Sequence, residues 1–297
     1  MNVKVEKSGI GHRIGAKVRD YKMLIKFRLT LTVVFSSVMA FLIAAQTGAN
    51  PVAVLVLALG GFLVTGAANT LNQVMEKDFD RLMKRTMDRP LAAGRMQISE
   101  AVMAAGLMSL FGISLLAMFN PWTAFLGTVA MLSYAFLYTP LKRITPNAVA
   151  VGAIPGALPV MIGSAAAEGQ ITLLALALFA LQFCWQFPHF WSIGWLGYED
   201  YRNAGYKLLP AKSQQDRNTG KQSLLYTLFL APISALPFLM GISGAISLGI
   251  VLALTAGYAW FAWRFYRDCN RKAALGLMFY SFFYIPVALI AFYFDKI

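Results

Sequence analysis

Asn72, Glu76 and Asp80 stand at i, i+4 and i+8 in the stretch NTLNQVMEKDFDRLMKRTMDRP, Asn69 to Pro90. On a helix that spacing stacks three oxygen-bearing side chains on one face, while Asp78 falls nearly opposite. Such a stack suits a hard divalent cation, most simply Mg2+, which keeps waters and takes phosphate oxygens beside one or two carboxylates. Arg81, Lys84, Arg85 and Arg89 follow at once, with Arg85 and Arg89 four apart. Acids for the cation and guanidiniums for the remaining oxygens form the donor set that a metal-bridged diphosphate needs. A salt-bridged surface loop is the plain alternative, and basic residues alone fit it equally well. It gives no reason to hold carboxylates in register at the end of an apolar run, where ionisable groups are costly.

Two further stretches carry polar groups in apolar surroundings. YTPLKRITPNAVAVGAIPGALP runs from Tyr138 to Pro159. Its Lys142 and Arg143 can bind phosphate or anchor a helix end among headgroups; Asn147, Gly152 and Gly156 permit close helix approach. CWQFPHFWSIGWLGYEDYRNAGYKLLP runs from Cys184 to Pro210, and Gln182, Gln186 and His189 make a polar stripe at i, i+4 and i+7. Pro188 allows a break there. His189 reads either as a hydrogen-bonded structural residue or as a ligand, and its aromatic neighbours also fit an interfacial belt. Glu199 and Asp200 follow.

These groups need a scaffold, and composition names its solvent. Of 297 residues, 58% are apolar and only 13% are charged, about half the roughly 25% usual in a soluble domain. An all-α, polytopic integral membrane protein is the consequence. Nine stretches reach the ~20 apolar residues a span requires: 29–47, 52–75, 98–119, 122–141, 147–166, 170–188, 223–241, 246–264 and 274–293. With the N-terminus in the cytoplasm, 25 of the 26 Lys and Arg residues fall inside or at its edge and only Lys296 is left outside, as the positive-inside bias demands. Residues 1–28 then form a basic cytoplasmic segment and 29–297 a single intramembrane domain. The long polar segments 76–97 and 189–222 share the cytoplasmic side, where a site is expected to open. The basic N-terminus lacks the apolar core and small-residue cleavage site of a signal peptide, and shows no clear transit peptide. A bacterial plasma membrane is the expected location.

Several classes are set aside. Cys184 and Cys269 cannot make a disulfide framework or a four-Cys zinc site, and two histidines, His12 and His189, cannot make a His-rich one. The net charge of +13 reads as topology and lipid contact rather than nucleic acid, for which no motif is present. A transporter would place its polar groups near mid-membrane, often in repeated halves; here they gather at one edge.

Asn72-x3-Glu76-x3-Asp80 followed by RTMDRPLAAGRM resembles the first acidic motif of the UbiA superfamily of intramembrane prenyltransferases, with Glu76 at the first acidic position. YTPLKR-x-T-x-N and WQ-x-PHF, with DY-x-x-AG-x-x-x-LP after it, are similar to the haem-farnesylating family within that superfamily. The resemblance implies nine helices around a central cavity, and farnesyl transfer from farnesyl diphosphate to a vinyl group of haem B with addition of water. It implies Mg2+ on Asn72, Glu76, Asp80 and Asp200, and substrate contacts from Arg81, Arg85, Arg89, Tyr138, Lys142, Arg143, Gln186 and His189. A haem A synthase is the implied partner. The chain departs from the superfamily in two places. Leu196 stands where a second acid often precedes Asp200, and Lys26-Phe27-Arg28 replaces a common K-P-R. A relative acting on an aromatic acid or quinone precursor shares the acidic motif, so the region from Trp185 to His189 is what separates the two.

Overall fold

The computed structural model describes residues 10–45, 48–210 and 214–297, with the side chains of 10, 12 and 13, and so that of His12, outside the described set. Its elements in chain order are α1 (Ile10–Leu24), α2 (Phe27–Ala44), α3 (Pro51–Asp80), α4 (Ile98–Ala117), α5 (Pro121–Leu132), a π-helical turn (Ser133–Tyr138), α6 (Thr139–Ile144), α7 (Ala148–Glu168), α8 (Leu173–Leu196), α9 (Tyr198–Asn203), α10 (Arg217–Ser234), α11 (Leu236–Leu239), α12 (Ala245–Asp268) and α13 (Arg271–Phe294). Among the described residues nine helices are long and apolar enough to cross a membrane, counting α5 to α6 and α10 to α11 as single spans. A bilayer offers no partner for backbone N–H and C=O groups, so the helix, which satisfies them internally, is the element this composition selects.

The expected spans reappear, with several ends displaced, and two of these bear on the polar motifs. α3 runs on to Asp80 and α8 on to Leu196, so both polar motifs are helical rather than loop. Pro188 does not break α8. Packing between neighbouring helices supports a proline whose missing N–H would otherwise end the helix. Helix starts follow ordinary capping chemistry: Asn50 accepts from the Val52 N–H and Asn120 from the Thr123 N–H, each ahead of a proline at the first helical position.

α7 is the most enclosed span, with Ala153, Ala157, Val160 and Ala165 fully buried. It packs on α2, α5 and α8. Gly163 makes the α2 contact possible, because a Cβ there would strike the Ser37 carbonyl oxygen. Small residues let backbones approach where no hydrophobic drive between helices exists. A second core joins α8, α10, α12 and α13 around Tyr258, Phe265 and Tyr284. The segment after α3 folds back on itself: Arg81 Nε donates to the Ala92 carbonyl at 2.8 Å, and Arg95 reaches Asp20 at 3.0 Å and Asp88 at 2.8 Å.

Gly163→Val is expected to force α2 and α7 apart. The cost, about 1–3 kcal/mol for an overpacked core, lowers the thermal unfolding midpoint in detergent by several degrees. Gly106→Ala, where a Cβ meets nothing within 4 Å, leaves that midpoint essentially in place.

Candidate active site

The last three turns of α3 hold Asn69, Asn72, Gln73, Glu76 and Asp80, all buried. Each meets a partner from elsewhere in the chain. Gln73 Nε2 donates to the Met23 and Leu24 carbonyls at 2.8 and 2.7 Å, tying α1 to α3. Asn69 Nδ2 donates to Thr30 Oγ1 at 3.2 Å. Asn72 Nδ2 donates to Thr139 Oγ1 at 2.9 Å, while its Oδ1 accepts from Lys26 Nζ at 2.8 Å. Glu76 forms an ion pair with Lys142 on α6. Arg89 Nη1 lies 2.8 and 2.7 Å from the two oxygens of Asp80.

Lys26, Arg89 and Lys142 therefore gather around two carboxylates, three basic groups against two acidic ones. Burial, and then the charge of Arg89, push the Lys26 ammonium well below its ordinary value, while Glu76 opposes them. Lys26 also adopts a left-handed conformation, φ 49° and ψ 55°, at the corner between α1 and α2. This turns its side chain inward. Tyr206 closes the cluster from the segment after α9, its ring 5.3 Å from Lys142 Nζ. Burial, and then the charge of Glu76, hold its phenol above the ordinary value, so it remains a protonated donor.

Below this cluster lies a cavity of about 740 Å3, lined from α2, α3, α5, α7, α8 and α13. Tyr134 and Tyr138, both on the π-helical turn, stand at the boundary, their rings 5.5 Å apart. Tyr134 Oη accepts from Lys26 Nζ at 3.3 Å, and Lys142 Nζ sits 4.8 Å from the Tyr138 ring. The turn brings two aromatics four residues apart to the same wall, and π-bulges recur at functional sites for that reason. Gly152 makes room for one of them, since a Cβ there would lie 2.5 Å from the Tyr138 ring. The cavity's far wall carries Gln182, Gln186 and His189 of α8. Gln186 Nε2 donates to the Ala153 carbonyl at 3.1 Å, with its carboxamide oxygen against Gly156. His189 stacks on Trp185 at 4.9 Å between centroids and meets Phe282 edge-on at 5.3 Å.

The structure brings together Asn72, Glu76, Asp80, Arg89, Lys142 and Tyr138 from the sequence-based set, with Gln186 and His189 lining the adjoining cavity. Arg85 stands at the rim, where its Nη2 donates to Tyr201 Oη at 3.2 Å. Arg81 turns toward Asp78 and the Ala92 carbonyl. Arg143 stacks on Phe79 at 4.1 Å, leaving Lys142 as the inward member of the pair. Asp200, on α9, is half-buried and forms no ion pair among the described residues; its neighbour Tyr201 links that helix to Arg85. Lys26, Tyr134 and Tyr206 were not legible as site residues. The signal available for Lys26 was its place in Lys26-Phe27-Arg28, a basic triplet opening the first span.

The donor set of Asn72, Glu76 and Asp80 fits a hard divalent cation: an amide and two carboxylates, buried, on one helix face, with no soft ligand beside them. Comparison with known proteins bears on the fold and the family. The model of the UbiA prenyltransferase family matches residues 33–284. A protoheme IX farnesyltransferase of Cytophaga hutchinsonii is 41% identical over 285 residues, covering 96% of this chain and all of that protein. Protoheme IX farnesyltransferase 1 of Pseudomonas putida is 36% identical, covering 94% and 95%. Among solved structures, a digeranylgeranylglyceryl phosphate synthase superposes with a TM-score of 0.77 at 18% identity, over 94% of this chain and 98% of the other. A UbiA homologue of Archaeoglobus fulgidus bound to GPP and Mg2+ gives 0.68 at 16% identity, over 92% and 99%. A charged cluster capping an apolar cavity, on this fold and with a family match over most of its length, places the chain in the UbiA prenyltransferase family.

Proposed function

We propose that the chain transfers the farnesyl group of farnesyl diphosphate to a vinyl group of haem B, with addition of water, giving haem O. The observation that carries this reading is the junction at Tyr134 and Tyr138, where a buried cluster richer in basic than in acidic groups meets an apolar cavity of about 740 Å3. A diphosphate head suits the first region and an isoprenoid tail the second. The similarity to named protoheme IX farnesyltransferases supports haem B over an aromatic acid or quinone precursor as acceptor. The surplus of basic residues at the charged end supports a cytoplasm-facing site in a bacterial plasma membrane. Residues 29–297 act in this reading as one catalytic domain behind the basic segment 1–28, and the product passes to a haem A synthase.

Asn72, Glu76 and Asp80 would hold the divalent cation, with Asp200 supplied from α9. The cation neutralises diphosphate oxygens and so makes a better leaving group. The chain's own residues do the rest. Arg89, Lys142 and Lys26 outnumber the two carboxylates, and these basic groups face the diphosphate, with Arg85 at the rim. Arg81 and Arg143 extend this basic border outward. As the bond between farnesyl C1 and the bridging oxygen breaks, its electron pair stays on the diphosphate, where these groups stabilise it. The Tyr134 and Tyr138 rings face the allylic cation and stabilise it through their π-faces. The vinyl π-electrons then form the new carbon–carbon bond. Water attacks the resulting cation on the porphyrin side chain and loses a proton, completing the hydroxyethylfarnesyl group. The apolar walls keep water from the farnesyl cation before that step. Gln186 and His189 contact the porphyrin from the far wall.

Three outcomes follow in a host lacking its own haem farnesylation. Asp80→Asn abolishes the haem O that the native chain accumulates in membranes, measured on a haem extract. Equal haem O from both keeps the reaction and overturns the metal assignment, whereas a prenylated aromatic acid as the sole product overturns haem as acceptor. Chelation of divalent cations lowers farnesyl diphosphate affinity in a detergent-solubilised sample, and Mg2+ restores it. Lys142→Met strips Glu76 of its partner, at about 3–5 kcal/mol for a broken buried pair, and lowers turnover by about 10²–10³ for a lost oxyanion donor. Adding Glu76→Gln recovers the unfolding midpoint but not the turnover.

A further inference from the structure

The cavity's far wall contains a hydrogen-bond arrangement that fixes a proton. His189 Nδ1 lies 2.7 Å from Ser281 Oγ on α13. The same Ser281 hydroxyl donates to the Met278 carbonyl at 2.5 Å. A serine hydroxyl has one proton, and a carbonyl oxygen can only accept. A Ser281 hydroxyl that gives its proton to Met278 accepts from His189, and the imidazole then carries its proton on Nδ1. Were the proton absent there, two lone pairs would face each other at hydrogen-bond distance in a buried site.

Ser281 is itself held firmly. It is fully buried, and its backbone carbonyl accepts from Trp185 Nε1 at 3.0 Å. Tyr258 Oη in turn donates to the Trp185 carbonyl at 3.1 Å. The indole that stacks on His189 is therefore anchored to the residue that binds its Nδ1. Stacking on Trp185 and edge contacts from Phe190 and Phe282 fix the plane of the ring. His189 lines the cavity, and since its Nδ1 edge is taken by α13, Nε2 is the nitrogen left to face it.

We infer that Ser281 is a positioning residue that locks His189 in the Nδ1–H tautomer, presenting the Nε2 lone pair to the cavity as an axial ligand for the iron of the metalloporphyrin substrate. This rests on haem as the acceptor proposed above. A histidine that ligates a metal donates its other N–H to a fixed acceptor, which sets the tautomer and raises the basicity of the ligating nitrogen. Ligation at one axial position holds the macrocycle by its centre. The vinyl group to be alkylated is then set by rotation about the iron–nitrogen axis.

The test uses the full chain in nanodiscs, titrated with ferrous haem B and followed by the Soret band and by the iron–histidine stretching vibration in resonance Raman spectra. His189→Ala loses the iron–histidine band, and added imidazole restores it. Ser281→Ala keeps the band but shifts it to lower frequency and weakens haem affinity by about 10- to 100-fold, the usual effect of removing an outer-shell partner. Farnesyl diphosphate affinity stays as in the native chain. Ser281→Thr, which keeps the hydroxyl, retains frequency and affinity. Ser281→Cys keeps the volume and weakens the acceptor, and shifts the band in the same direction should Ser281→Ala not fold. A band unchanged in Ser281→Ala and Ser281→Cys, or surviving in His189→Ala, overturns the inference while haem O formation leaves the proposed reaction standing. A native chain that neither binds haem B nor makes haem O overturns the reaction, and the inference with it.

Discussion

Everything at the charged end of this protein depends on compensating two buried carboxylates. Glu76 and Asp80 are almost without solvent, at 5% and 1% exposure, and an unpaired charge in that position costs several kcal/mol. Lys142 and Arg89 meet them, and each arrives from a segment whose path is fixed by the need to arrive. The chain after α3 must fold back to bring Arg89 to Asp80. α6 must end beside α3 so that Lys142 reaches Glu76. The corner at Lys26 must adopt a left-handed conformation, unfavourable by roughly 1–2 kcal/mol for a residue with a Cβ. The contact of its ammonium with Asn72 and Tyr134 offsets that strain. The cluster thus orders the three connections that surround it.

The apolar part of the molecule obeys a different rule. Its helices gain nothing from hiding apolar surface from lipid, so they associate through close fit and a few interior hydrogen bonds. Gly163 against Ser37, Gly152 against Tyr138 and Gln182 Nε2 on the Gly156 carbonyl at 2.8 Å are instances on α7 alone. These contacts leave a void of substrate size between the helices. The π-helical turn is where the two regimes join: its two tyrosines have rings toward the void and a hydroxyl or cation contact toward the cluster.

The fold was legible because hydropathy and charge segregation act on whole spans. The register Asn72, Glu76 and Asp80 was legible because the helical period is local. What sequence could not supply were partners far apart in the chain: Lys26 with Asn72, Tyr134 with Lys26, and Ser281 with His189 are separated by 46, 108 and 92 residues. Lys142 and Arg143 looked equivalent as neighbours, and only the direction of α6 sends one into the cluster and the other over Phe79. Pro188 suggested a break because proline removes a local hydrogen bond, whereas packing between helices decides the matter in a membrane. Asp200 was named from the motif, yet its half-buried carboxylate forms no ion pair with the cluster among the described residues.

The confinement of Lys26, Glu76, Asp80, Arg89 and Lys142 to one end of the bundle also has an electrical meaning. A charge contributes to voltage dependence only in proportion to the fraction of the transmembrane field it crosses, about 2.3 kcal/mol per 100 mV for a full crossing. In the proposed reaction a diphosphate that docks and departs at that end, with its neutral isoprenoid tail in the interior, crosses almost none of it. Under the proposed reaction, the docking of the diphosphate is therefore the same in an energised membrane as in a depolarised one.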